Sequence, residues 1–409
     1  MDIHILFHVP KGLEFIAVKD IEASLSHETI LKNTKYSWET RTGRIHLHCT
    51  VDSLLQLKDY LVNRVQLLCI YSVTLVASES VVPADIFAEI QPTYDFIINQ
   101  SKQALWSSVI DEKNDAVTFR ATFTKERVKH KAPSQSMAGC AGFGFNTVSP
   151  FESWKAKMTE YQYNIIGILY QTSDSTILSR FTDHSNKDAV ILLLGVELPL
   201  KDPKQRNRLY YGRTSMNPAI AYCLVKLADP KPGQLVLDMC CGTGTIPIEG
   251  ASLYKDTFWL GAEIREDTLT EKAQGNLLHC NFKNMDLMLG DGRKMCYRPG
   301  VIDTIISDWP WGIRENSYSQ IKAMYPKFMK QMWIALKTYG KAYIVTQGHK
   351  IMTYVLKYDW CESMWNTDEI IPIGIGGLDV YLYILSKKPN PSIVPQDIYN
   401  HVHPLSLKA

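Results

Sequence analysis

The chain has 409 residues, 45% hydrophobic and 21% charged, with a formal net charge of +2. That length allows two or three domains with cores of their own, and that composition excludes a disordered or collagenous chain. The near-neutral charge leaves any attraction for nucleic acid to local patches, and nine cysteines without a Cys-x-x-Cys pair point to neither a disulfide framework nor a zinc site.

The opening stretch MDIHILFHVPKGLEF begins with an acid and breaks its short apolar run with histidines, unlike a secretory signal. The longest strongly apolar run, Ala189 to Val196, is far shorter than the ~20 residues that span a bilayer. No membrane association and no metal are expected, and the cytosol, or else the nucleus, is the expected location. Before residue 205, RIHLHCTV, VQLLCIYSVTLV and AVTFRATFT alternate like strands. GLEFIAVKDIEASL and SLLQLKDYLVNRV space their apolar residues three and four apart, as helices do. This mixture predicts small α+β modules, with a break near residue 90 around QPTYDF.

After residue 205 the rhythm becomes strand, turn, helix. GQLVLDMC, TFWLGAEI, MDLMLGDG, VIDTIISD and KAYIVTQ read as strands, with helices near 266–280 and 317–338. Such alternation predicts an α/β doubly wound parallel sheet, and GIGGLDVYLYILSKK reads as a terminal, antiparallel strand. Ligands of such sheets bind beyond the carboxyl ends of the strands.

The first of these strands ends LDMCCGTGTIPIEG, where Asp238 precedes Gly242 and Gly244 at the start of a helix. Glycines there let backbone amides approach a ligand, and the helix start offers free N–H donors. The second strand ends at Glu263, where an acid can bind ribose hydroxyls; the third ends GDGR with Asp291 at its tip, and the fourth ends at Asp308. Four strands delivering carboxylates to one edge form a cofactor rim more readily than four helix caps. The three-glycine pyrophosphate fingerprint is missing, since Ile246 and Pro247 follow Gly244. An acidic rim also suits a cationic ligand, so the pattern favours S-adenosyl-L-methionine over a nicotinamide dinucleotide.

The fourth strand runs into ISDWPWGIR, an Asp-x-Pro-aromatic loop like that of amino-methyltransferases. The exocyclic amine of a base is a poor nucleophile, because its lone pair is delocalised into the ring. A carboxylate and a backbone carbonyl accepting its two N–H bonds localise that pair and aim it. Asp308 is the candidate acceptor, Pro310 fixes the loop and turns the carbonyl of Trp309 outward, and Trp311 offers a stacking face. The competing reading makes both tryptophans core residues and Asp308 a helix cap. Two basic clusters could meet phosphates: Lys125, Arg127, Lys129, His130 and Lys131, and then Lys201, Lys204, Arg206, Arg208 and Arg213 with two tyrosines between.

The stretches NRLYYGRTSMNPAIAYCLVKLADPKPGQLVLDMCCGTGTIPIEGA, SDWPWG, VTQGHK and GIGGLDVYLYIL resemble the THUMP-domain RNA guanosine N2-methyltransferases. They are most similar to the branch acting on the sixth tRNA nucleotide, in the acceptor stem, with GRTSMNP and WGIRE similar to the branch acting on the tenth. VPKGLEFIAVKDI resembles the family's N-terminal ferredoxin-like domain, and TFRATFTKERVKHKAPSQSMAGCAGFGF part of its THUMP module. The resemblance implies three domains: 1–90 ferredoxin-like, 91–200 THUMP and 205–390 a Rossmann-like class I methyltransferase. It implies that Asp238, Cys241, Gly242, Gly244, Thr245, Glu263 and Asp291 hold S-adenosyl-L-methionine and that Asp308, Pro310 and Trp311 position a guanine amine. Lys125, Arg127, Lys129, Lys131, Arg206, Arg208, Arg213 and Arg314 would contact tRNA. A small zinc-binding methyltransferase activator subunit is implied as partner, covering apolar surface at the catalytic sheet's edge.

Met239 and Cys240 stand where the family has Pro and Met, Trp309 where a small residue or Pro is usual, and Ile313 where a Lys is usual. Two indoles could narrow the pocket. Trp309 and Ile313 leave a non-catalytic RNA-binding scaffold as one alternative reading, and an adenine-N6 methyltransferase is the other, since the Asp-x-Pro-aromatic loop serves any exocyclic amine.

Overall fold

Alternation between buried and polar positions builds the first strand, Asp2–His8 (β1), in which Ile3, Ile5 and Phe7 are buried on one face. The other face carries His4, Leu6 and His8. The computed structural model describes residues 1–396 except 27–28, 113, 115–116, 182–187, 202–205, 213 and 314–316. These fall into two units, Met1–Val9 with Ala17–Lys201, and Pro10–Ile16 with Asp202–Ala409.

In the first unit β1 is followed by helix α1 (Glu14–Leu25), β2 (Lys32–Trp38), β3 (Arg44–Thr50), α2 (Leu54–Asp59) and β4 (Ser72–Val82). This β-α-β-β-α-β order, with strands side by side as β2-β3-β1-β4, is the ferredoxin-like arrangement. Next come α3 (Ile90–Gln103), β5 (Thr118–Glu126), α4 (Ser134–Asn146), β6 (Lys155–Ala156), β7 (Tyr163–Thr172) and β8 (Ala189–Glu197). The sheet continues from β4 as β8-β7-β5-β6. Residues 1–90 and 91–200, expected as separate domains, therefore share one eight-stranded sheet. β4 and β8 join them from Thr74 opposite Glu197 to Val82 opposite Val190, which saturates two apolar strands that would otherwise be open edges.

The second unit carries α5 (Pro218–Ala228), β9 (Leu235–Asp238), α6 (Thr245–Leu253) and β10 (Phe258–Glu263). A helical stretch begins at Glu266–Thr268, widens at Leu269–Ala273 and ends as α7 (Gln274–Cys280). There follow β11 (Met285–Leu289), β12 (Ile302–Asp308), α8 (Tyr318–Ala335), β13 (Leu336–Thr346), α9 (His349–Leu356), α10 (Asp359–Met364), β14 (Trp365–Ile375) and β15 (Leu378–Lys387). Strand order is β11-β10-β9-β12-β13-β15-β14, parallel up to β13 and antiparallel beyond it. The order reverses between β9 and β12, so the crevice for a ligand opens at the carboxyl ends of these two strands.

Where one terminal strand was expected there is a hairpin, turned at Gly376 and Gly377 with φ of 58° and 81°. Its first arm, β14, is an edge strand with Asn366 to Ile370 exposed, so it reads as a polar loop in sequence. Helix α6 reaches the sheet through Gly250, where a Cβ would sit 2.2 Å from the ring of the buried Trp259. Leu237, Ile305, Phe328, Met329 and Met332 form the centre of the core between α8 and the sheet. No helix among the described residues is long and apolar enough to cross a membrane.

Candidate active site

Asp238 ends β9 and is only 2% exposed. One of its carboxylate oxygens accepts the Cys240 amide at 3.1 Å and the Ser307 hydroxyl from β12 at 2.7 Å. Burial lifts its carboxyl to about 7 against the pull of these hydrogen bonds, with Glu263 adding to the rise. Asp238 thus braces the turn from beneath and ties β9 to β12 across the switch point. Above it, Gly242 and Gly244 take φ of 54° and 84°, left-handed values that glycine adopts with no Cβ penalty, and Gly244 starts α6 without a side-chain cap. A Cβ on Gly242 would meet nothing within 4 Å, so the turn presents bare backbone to open space.

Glu263, at the tip of β10, accepts the Gly242 amide at 3.0 Å and the Arg265 amide at 2.9 Å through different oxygens. Cys241 is buried against Gly261, and burial, followed by the charges of Asp238 and Glu263, pushes its thiol up; it packs the turn onto β10 as an uncharged side chain. Thr245 is buried and accepts from the Arg208 guanidinium at 2.7 Å. Asp291 follows β11 and is clamped by Arg293 at 2.8 Å on each oxygen. Burial works against its charge, yet Arg293 holds the carboxyl below the usual range. The four acids stand at or just after the ends of adjacent strands, as the sequence predicts.

Asp308 ends β12, one position past the serine that holds Asp238. Its carboxylate accepts the indole N–H of Trp311 at 2.8 Å. The half-buried Trp311 is therefore fixed at the mouth of the crevice by the same acid that its ring stands beside. Trp309 is a core residue, 1% exposed and packed edge-on to Tyr325 at 4.9 Å and Phe328 at 5.0 Å. This corrects the expectation that two indoles narrow the pocket: Trp309 is taken up by core packing against α8, and Trp311 alone stands beside Asp308. The Pro310 carbonyl accepts the hydroxyl of Tyr325 at 2.7 Å.

The basic residues divide differently from the sequence reading. Arg206 makes two hydrogen bonds, at 3.2 and 2.7 Å, to Glu249, a carboxylate only 2% exposed. Arg208 is 5% exposed and bonds the Met216 carbonyl and Thr245. Both are therefore internal braces of the second unit, not surface phosphate contacts, because their partners lie beneath the surface. Lys125 donates to the carbonyls of His130 and Ala132, and Arg127 to those of Thr40 and Arg41, so each holds its own loop. Lys129 and Lys131 are exposed. Lys204, Arg213 and Arg314 lie outside the described residues. Ser307, Asn276 and Tyr325 were not singled out from sequence. Asn276 is fully buried and bonds the backbone of Leu209, Tyr210 and Thr243, clamping the segment before α5 against the glycine turn. No local signal marks these three, since each reads as an ordinary helix or strand position.

Residues 205–366 match the family described as RMKL-like, methyltransferase domain. The chain is 25% identical over 304 residues to the human tRNA (guanine(6)-N(2))-methyltransferase THUMP3, covering 71% of this chain and 55% of that protein. It is 30% identical over 130 residues to the mouse U6 snRNA (guanine-N(2))-methyltransferase THUMPD2, covering 32% of this chain and 24% of that one. The chain thus spans about half the length of the THUMP3 relative it matches. Among solved structures it resembles TrmN from Thermus thermophilus, with a TM-score of 0.66 at 17% identity over 94% of this chain and 99% of that one. By sequence the chain is thus similar to tRNA (guanine(6)-N(2))-methyltransferases, with residues 205–366 matching an RMKL-like methyltransferase domain, and by fold it resembles TrmN.

Proposed function

We propose that the protein transfers a methyl group from S-adenosyl-L-methionine to the N2 amine of a guanosine in tRNA. The observation that carries this reading is the pairing of Asp308 with Trp311 at the carboxyl end of β12, next to the bare glycine turn after β9. The turn fits the cofactor: Gly242 faces open space, the start of α6 has no side-chain cap, and the Glu263 carboxylate stands at the strand tip beside them. Gly242, Gly244, Glu263 and Asp291 would hold it, with Asp238, Cys241 and Thr245 shaping the turn from below. When bound, it supplies an electrophilic methyl group on a sulfonium.

The chain's own residues prepare the acceptor. Asp308 accepts an N–H of the amine and stabilises the positive charge that develops on nitrogen as the new bond forms. Trp311 offers its ring to the extruded base, and its indole N–H fixes which way the Asp308 carboxylate faces. The first unit, with exposed Lys129 and Lys131, is read as the part that grips the RNA. The sixth nucleotide is the favoured position, on the strength of the THUMP3 relatives. A small zinc-binding activator subunit fits the open edge at β11, where Ile264, Leu278 and Leu289 are exposed.

Incubation with bulk tRNA and labelled cofactor, with and without such a subunit, followed by digestion to nucleosides, tests the reading. Label in N2-methylguanosine is expected, reduced by about a hundredfold or more in Asp308→Ala. Label confined to N6-methyladenosine would move the assignment to adenine. Label in U6 snRNA but not tRNA would change the substrate while keeping the chemistry. Absence of cofactor binding by calorimetry, with the subunit present, would leave a scaffold.

A further inference from the structure

The stretch VTQGHK, which runs from the last two residues of β13 into α9, is conspicuous in sequence but has no part in the chemistry above. Its first residues close a chain of hydrogen bonds that ends on the Asp308 loop. The Gly348 amide donates to the Thr346 hydroxyl at 2.9 Å; that hydroxyl lies 2.6 Å from the Tyr325 hydroxyl, which lies 2.7 Å from the Pro310 carbonyl. The direction is fixed by counting protons. A carbonyl only accepts, so the single phenolic proton goes to Pro310, and the Thr346 proton goes to the phenolic oxygen.

Tyr325 and Thr346 are both fully buried, and Tyr325 stands edge-on to Trp309. The chain has no room for a substitute at Gly348, where a Cβ would lie 2.8 Å from the Tyr325 hydroxyl oxygen and 3.1 Å from its ring. Pro310 lies between Trp309, anchored in the core, and Trp311, bonded to Asp308. The backbone of this short segment is thus pinned at its midpoint by a phenol that touches no solvent.

We propose that Tyr325, held by Thr346 and the bare backbone of Gly348, is a positioning residue that sets the orientation of the catalytic loop. The inference rests on the methyl-transfer reading given above. Tyr325 touches neither substrate nor cofactor; it acts by holding the Pro310 peptide, and so the flanking Asp308 and Trp311, where the amine must be met. A loop displaced by about 1 Å is expected to cost about a hundredfold in rate.

Steady-state methyl transfer by the full chain, with any subunit it requires, tests this. In Tyr325→Phe the ring stays in the core while kcat falls about a hundredfold, with KM for tRNA and methyl donor within about twofold. Gly348→Ala, which pushes the phenol aside, falls in the same direction, and Tyr339→Phe, at an exposed tyrosine far along β13, does not. A kcat within twofold of the parent, or a raised KM with kcat unchanged, would overturn the proposal. Hydrogen exchange of peptides covering 309–313 provides a readout independent of turnover. Exchange at least about tenfold faster in Tyr325→Phe supports the tie, and unchanged exchange sinks it. If the parent methylates no RNA, the functional reading fails, and the exchange result still decides whether Tyr325 holds the loop.

Discussion

Trp311 does two things with one side chain, and they separate by substitution. Trp311→Phe keeps an aromatic face but removes the indole N–H from Asp308. A lower kcat with little change in KM for tRNA is the expected outcome. Trp311→Ala removes the face as well, and weaker RNA binding worth about 1–3 kcal/mol should follow in a titration. Asp238 gives a second prediction. Its folded value of about 7 lies above that of an exposed aspartate, so its favourable contribution is complete in acid and lost as pH rises through 7. Asp238→Asn keeps acceptors for Ser307 and Cys240 without the buried charge. Its melting temperature should therefore gain on the parent from about pH 4 to pH 7 and then level off, by up to about 4 kcal/mol in stability.

At the scale of elements, β1 and β3 carry a ladder of histidines that the sequence showed only as alternation. His4 faces His48 across the strands with ring centroids 4.0 Å apart, and bonds His46 at 3.0 Å. Burial, with neighbouring charges that include Arg180, depresses His4 and His46, and His48 falls to about 4. Histidines kept neutral by folding stabilise above their ordinary range near 6.5, and that contribution is lost as pH falls toward 4. Acidification over that window should destabilise the first unit, seen as faster hydrogen exchange in β1 and β3. His48→Asn should make the dependence shallower. Glu79 on the neighbouring β4, nine-tenths out of solvent, bridges Arg180 at 3.2 Å and accepts from Tyr170 on β7, so the same sheet holds an ion pair out of solvent. Strand existence was legible from alternation, but which polar residues face inward was not, because both faces of this sheet are covered.

For the whole molecule, the two sets of basic residues make opposite predictions. Lys129→Ala and Lys131→Ala should each lower the salt slope of RNA binding by about one while leaving folding intact. Arg206→Ala strands the buried Glu249, whose carboxyl is raised by burial although Arg206 opposes the rise. A loss of about 3–5 kcal/mol in denaturant unfolding of the second unit is expected, with the salt slope untouched. A cationic run in sequence carries no label for burial. Lys125, Arg127, Arg206 and Arg208 look like Lys129 and Lys131 until their partners are found.

The sequence by itself determined the parallel sheet of the second unit, the strand ends that bear Asp238, Glu263 and Asp308, and the glycine turn. All of these depend on local period and on residues only a few positions apart. Tertiary structure alone decided that Trp309 is core, that two expected N-terminal domains share a sheet, and that Tyr325 holds Pro310 from fifteen positions away. Those outcomes depend on which distant surfaces meet, and the energy of a buried contact resides in both partners at once.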